Sequence, residues 1–133
     1  MVRLTVVNDN PEVLELMGEI LESDRYVTTL IGSIEADLLQ QICRSSPDLL
    51  VIDLRHGDDA RDGWEIVKEL RSTRDCRHLP VLLCSADIEA LNEVEPELEA
   101  TPGVMALTLP FEIDDLLQSI RRLIGRQEAS RCS

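Results

Sequence analysis

Pro47-Asp48-Leu49-Leu50-Val51-Ile52-Asp53-Leu54-Arg55-His56-Gly57-Asp58-Asp59-Ala60-Arg61-Asp62-Gly63 is the stretch on which the fold turns. Leu49 to Ile52 is an apolar run of the length of a buried strand and too short for a helix. It ends in Asp53 and runs on into a loop with Gly57 and Gly63. A carboxylate at the carboxyl end of a buried strand is where open α/β sheets place their chemistry. Aspartates also end strands and cap turns, so this stretch alone leaves both readings open.

Working outward, Arg3 to Val7 reads as a first strand, β-branched and nearly continuously apolar. Asn8, Asp9 and Asn10 follow it, and Asn10-Pro11 is a helix start: a capping side chain, then a proline where no amide donor is needed. Val13, Met17, Ile20 and Leu21 give that first helix its inner stripe, to about Glu22. Tyr26 to Ile31 reads as a second strand, and Ser33 as the N-cap of a second helix with Leu38, Leu39, Ile42 and Cys43 inward. The central strand runs from Asp48 to Asp53, before a third helix patterned by Trp64, Ile66, Val67 and Leu70 and ending near Arg74.

Pro80 opens a fourth strand, Val81 to Cys84, which stops at Ser85-Ala86-Asp87. Ile88, Leu91, Val94 and Leu98 keep helical spacing, but Pro96 interrupts them. An interior proline costs about 3 kcal/mol, so the spacing predicts a kinked, frayed or split fourth helix. Val104 to Thr108 is a fifth strand. Ile113, Leu116, Leu117, Ile120, Leu123 and Ile124 pattern a last helix, with Gly125 expected as its stop. Strands alternating with helices over short connections require a parallel sheet with helices on both faces. The expected fold is α/β, flavodoxin-like and doubly wound, with strand order 2-1-3-4-5. Residues 1–125 form a single domain in this reading, and 126–133 a patternless, flexible tail.

In such a sheet the strand carboxyl ends lie together, which gathers Asn8, Asp9 and Asn10, then Asp53, then Ser85, then Leu109-Pro110-Phe111. Converging carboxylates suit a hard divalent cation such as Mg2+. They also suit an aspartate that accepts a phosphoryl group, with a neighbouring hydroxyl bonding a phosphate oxygen. Asp9 reads alternatively as a cap, and Ser85 as a turn residue, a role compatible with a phosphate contact.

With these pieces in order, the chain resembles a response-regulator receiver domain from Arg3 to about Gly125. The resemblance rests on Val-Val-Asn-Asp-Asn-Pro at 6–11, Pro-Asp-Leu-Leu-Val-Ile-Asp at 47–53 and Asp62-Gly63-Trp64-Glu65. Leu79-Pro80-Val81, Ser85-Ala86 and Pro110-Phe111 complete it. It implies Asp53 as phosphoacceptor, Asp9 as a Mg2+ ligand and Ser85 as the hydroxyl that follows the phosphate. It implies a histidine kinase or phosphotransfer protein as donor, and a signalling protein rather than a metabolic enzyme.

The chain also departs from the family. The first of the usual two acids is Asn8, a weaker metal ligand, acting directly or through water. The family lysine before the Pro-Phe pair is Leu109, and Lys68, the only lysine, lies on the third helix. Arg55 is a candidate for compensating charge. The aromatic switch position is Ala106, and the loop after Asp53 is longer than usual and lacks its proline. These departures describe a degenerate receiver and support an alternative: a pseudo-receiver that binds partners constitutively, without phosphorylation. A flavin- or nucleotide-binding protein on the same topology is disfavoured, because no glycine-rich phosphate loop follows the first strand.

Composition bounds the partners. With 13 basic and 26 acidic residues the formal net charge is −13, which opposes binding to nucleic acid or to an anionic membrane. No Lys or Arg lies between Leu79 and Ile120, where nine acids do. That acidic surface, residues 87–120, reads either as a solvated face or as a docking surface for a downstream protein. No apolar run approaches the ~20 residues of a membrane span, so a cytoplasmic location is the default expectation, as a monomer or weak dimer acting as a stand-alone receiver. The four cysteines show neither a C-x-x-C motif nor zinc spacing and read as buried or incidental thiols. His56 reads as an exposed loop residue, not a catalytic one.

Overall fold

The computed structural model describes residues 2–32, 37–54, 63–74 and 76–132. Five strands, β1 (Arg3–Val7), β2 (Val27–Ile31), β3 (Leu49–Asp53), β4 (Val81–Ser85) and β5 (Val104–Thr108), alternate with five helices. These are α1 (Pro11–Ser23), α2 (Leu38–Arg44), α3 (Gly63–Ser72), α4 (Ile88–Glu99) and α5 (Ile113–Cys132). All strand pairs are parallel, in the expected order β2-β1-β3-β4-β5.

Strand composition follows position in the sheet. β3 and β4 are apolar almost throughout and buried, because helices cover both their faces. β2, at one edge, leaves Val27 and Leu30 exposed. Successive side chains then alternate between two cores. Leu50 and Ile52 of β3 join Ile42 of α2 and Val67 and Leu70 of α3. Leu49 and Val51 face the other way, toward Met17 and Leu21 of α1 and Leu116 and Ile120 of α5.

Local chemistry sets the helix ends. Asn10 caps α1, its Oδ1 accepting from the Glu12 and Val13 amides, and Pro11 stands in the first turn. Asp87 caps α4 by accepting from the Ala90 amide. Asp48 precedes β3 rather than belonging to it; its carboxylate accepts from the Arg3 amide and so ties β1 to the start of the central strand.

Three expectations are corrected. α4 runs unbroken past Pro96 to Glu99. The carbonyl of Asn92 that loses its amide partner lies on an exposed stretch, where water can serve it. α5 does not stop at Gly125 but continues as helical backbone to Cys132. Gly125 has a right-handed φ and no neighbour within 4 Å of a built Cβ. A solvent-side glycine costs a helix only about 1 kcal/mol, less than a nucleated helix with good formers beyond it gains. Finally, Cys43 at the end of α2 and Cys76 after α3 are paired as a disulfide, with Cα atoms 6.6 Å apart. Only Cys84 is a free buried thiol among the described residues. The expected N-cap at Ser33 lies outside the described residues.

Candidate functional site

The carboxyl ends of β1, β3 and β4 meet at Asp53. The sheet register sets Val7 beside Ile52 and Asp53 beside Cys84, so Asn8, Asp53 and Ser85 fall on one rim. Asp53 is half-buried, Asn8 and Ser85 are buried, and Asp9 is exposed. The structure therefore brings Asn8, Asp53 and Ser85 together at one crevice and leaves Asp9 exposed, next to Asn8 in the chain.

Asn8 contributes differently from the expectation for a metal ligand. Its Oδ1 accepts from the Asn10 amide at 2.8 Å, and its Nδ2 donates to Asp53 Oδ2 at 3.3 Å. A backbone N–H can only donate, so the first bond fixes which end of the amide is oxygen. The oxygen is engaged in an Asx turn, and the NH2 group faces the carboxylate. An aspartate at position 8 would present negative charge to Asp53 instead.

Ser85 is held from both ends. Its Oγ accepts from the Asp87 amide at 2.9 Å, the expected turn role, and its carbonyl accepts from the Leu109 amide at 2.8 Å. An accepting hydroxyl retains its own proton to donate. Leu109 precedes a cis Leu109–Pro110 bond and packs with Phe111 against the α1/α5 core, placing an alkyl group where the family resemblance implies an ammonium. Ala106 sits opposite Leu83 on β5 and is exposed, with no aromatic ring to rotate.

On the α3 side, Gly63 closes against the end of β3. Its amide donates to the Leu54 carbonyl, and a Cβ there would stand 2.2 Å from the Asp53 carbonyl oxygen. No other residue type fits so close a backbone approach. Next to it, Trp64 is buried as packing, and its Nε1 donates to Glu97 on α4 at 2.6 Å. Arg55, His56 and Asp62 lie outside the described residues.

Negative charge at Asp53 registers on its neighbour. Complete burial, and then the Asp53 carboxylate, push the Cys84 thiol up to about 12, leaving it protonated and inert at neutral pH. No cluster of three or more His, Cys, Asp or Glu occurs among the described residues. Mg2+ takes one or two carboxylates and completes its shell with water or phosphate oxygens. Asp9 and Asp53 supply carboxylates of that kind, and the Asn8 oxygen, which accepts one bond from the Asn10 amide, keeps a second lone pair. Sequence reasoning missed the Asn8 donor role and the Gly63 contact. The Asn-x-Asn spacing of an Asx turn was the available signal for the first.

A doubly wound parallel sheet with an aspartate at the carboxyl end of its central strand defines a class of α/β signalling and ligand-binding proteins. Within that class, the chain belongs to the response regulator receiver domain family, which residues 4–121 match. Response regulator MprA of Mycobacterium leprae (strain TN) is 32% identical over 93% of this chain and 51% of its own length. The DNA-binding dual master transcriptional regulator RpaA of Synechocystis sp. (strain ATCC 27184 / PCC 6803 / Kazusa) is 25% identical over 96% of this chain and 51% of its own. The crystal structure of response regulator protein TrrA from Thermotoga maritima, in complex with Mg2+-BeF, shares the fold. Its TM-score is 0.77 at 21% identity, covering 92% of this chain and 99% of that one.

The protein is thus a receiver domain of two-component signalling, a signalling class rather than a metabolic enzyme. This chain spans about half the length of the curated relatives it matches. The expectations of a stand-alone receiver and of no contact with nucleic acid therefore lose their support, since one relative is named as DNA-binding. No described helix is long and apolar enough to cross a membrane.

Proposed function

We propose that Asp53 accepts a phosphoryl group from a histidine kinase or a phosphotransfer protein. One observation carries the reading: Asp53 stands at the carboxyl end of β3 with a neutral donor, Asn8 Nδ2, at 3.3 Å, and the buried Ser85 ends the adjacent strand. An Asp53 oxygen attacks the phosphorus of phosphohistidine in line. The P–N bond breaks, its electron pair stays on the imidazole nitrogen, and an acyl phosphate forms on Asp53. The Ser85 hydroxyl donates to a phosphoryl oxygen. Asp9 and Asp53 would hold a Mg2+ ion, which supplies charge neutralisation for the transferred group. The receiver then signals by protein contacts, and the acidic surface of residues 87–120, which exposes Ile88 and Ile113, suits a downstream protein with a basic rim.

Leu109 favours a second reading, constitutive partner binding without phosphorylation, because no ammonium stands at that position to meet the phosphate. Intact-mass analysis after incubation with acetyl phosphate and Mg2+ separates the two. Gain of one phosphoryl mass by wild type but not by Asp53→Asn supports the acceptor. No adduct, either from acetyl phosphate or from a phosphorylated histidine-containing protein, supports the constitutive module.

A further inference from the structure

Cys43 and Cys76 stand outside the Asp53 crevice and no step of the proposed chemistry uses them. Cys43 lies in the last turn of α2, partly buried, while Cys76 is 7% exposed in the turn after α3, its amide bonded to Thr73 and its carbonyl to Leu79. Both belong to the apolar core under α2 and α3. Their Cα atoms are 6.6 Å apart, within disulfide span, and 33 residues separate them. We infer that Cys43 and Cys76 form a redox-responsive modification site whose ligand class is a low-molecular-weight thiol–disulfide couple, and whose closure fastens α2 to the turn after α3.

The exchange balances without another reactant. A small thiolate attacks Cys43 Sγ, the more accessible sulfur. The Sγ–Sγ bond breaks, and Cys76 leaves as a thiolate that takes the proton the small thiol released. A second small thiol attacks the mixed disulfide, frees Cys43 as a thiol and departs as the oxidised small disulfide. Two small thiols are oxidised and one protein disulfide is reduced; the reverse sequence closes the bridge. Cys84 takes no part, being buried in the opposite core. Closing a loop of this length favours the folded state by about five hundred-fold.

The test uses the 133-residue chain carrying Cys132→Ser, equilibrated across ratios of reduced to oxidised glutathione, then denatured and alkylated for intact mass. The site is supported by a reversible passage from three alkylated cysteines to one, with loss of two hydrogens and a fall in the unfolding equilibrium constant of about five hundred-fold. The passage should vanish in Cys43→Ala and in Cys76→Ala, either variant sufficing if the other fails to fold. Three alkylated cysteines at every ratio would overturn the bridge. One alkylated cysteine at every ratio, including excess reduced thiol, would overturn its responsiveness. Neither result bears on whether Asp53 accepts phosphate.

Discussion

Asn8 Nδ2 lies 3.3 Å from Asp53 Oδ2, so the carboxylate at the centre of this receiver meets a neutral donor where an acid would repel it. The two residues come from adjacent strands, and a turn-closing bond from Asn10 holds the amide in orientation. The site therefore tolerates the absence of a cation better than one with a further carboxylate at position 8.

Asn8→Asp should exchange that donor for a like charge. Without Mg2+ the variant should be less stable than wild type by about 1–3 kcal/mol, from a lost charged hydrogen bond and added repulsion. Saturating Mg2+ should recover most of the loss and bind more tightly than to wild type. Thermal melting with and without the ion reads both effects. Equal melting of the two proteins in chelator would refute the donor role.

Leu109→Lys should restore a cation beside the proposed phosphoryl position. Phosphorylation of Asp53 by acetyl phosphate should accelerate by at least about tenfold, as for other preorganised charge contacts. The time course of the intact-mass adduct measures it, and an unchanged rate would show that position 109 does not reach the group.

Gly63→Ala should be poorly tolerated, because its Cβ would meet the Asp53 carbonyl oxygen at 2.2 Å and both atoms belong to backbone. Overpacking of this kind costs about 1–3 kcal/mol. Chemical denaturation should show the loss as a lower midpoint at unchanged slope.

Cys84 predicts a pH limit. Burial, and then the Asp53 carboxylate, push its folded thiol up to about 12 from the ordinary thiol value of 9.0. The folded state therefore holds its proton where the unfolded chain releases it. The stabilisation is complete below pH 9 and is lost as pH rises toward about 12, with a slope of about 1.4 kcal/mol per pH unit. Cys84→Ala should lose stability less steeply across that window; parallel curves would contradict the prediction.

Trp64 is the single tryptophan and donates to Glu97 across the α3–α4 boundary. Glu97→Ala should cost about 1 kcal/mol, the carboxylate being exposed, and should shift the Trp64 emission. An unchanged spectrum would show that the indole does not sense Glu97.

The sheet was legible because its strands are short apolar runs ending in Asn8, Asp53 and Ser85, and period and punctuation alone order such runs. Asn10-Pro11 marked α1 for the same local reason. The direction of the Asn8 amide was not legible, since it depends on which atoms meet across strands 45 residues apart in the chain. Pairing of Cys43 with Cys76 likewise follows from where two helices end, and no spacing motif records it. Pro96 and Gly125 misled because both are penalties of a few kcal/mol or less, and continuation of a formed helix with a solvated face outweighs them.

Ser85 bears on how a change at Asp53 would travel. Its Oγ holds the Asp87 amide, and the Asp87 carboxylate holds the Ala90 amide, so the first turn of α4 hangs from the crevice by two consecutive links of 2.9 and 3.1 Å. The carbonyl of the same serine anchors Leu109 and with it the approach to α5. Were phosphorylation of Asp53 to draw that one side chain inward, it would tug a short leash on α4 while the main chain stays tied to Leu109. Under the proposed chemistry, that linkage would let the head of α4 move without a turning ring at Ala106.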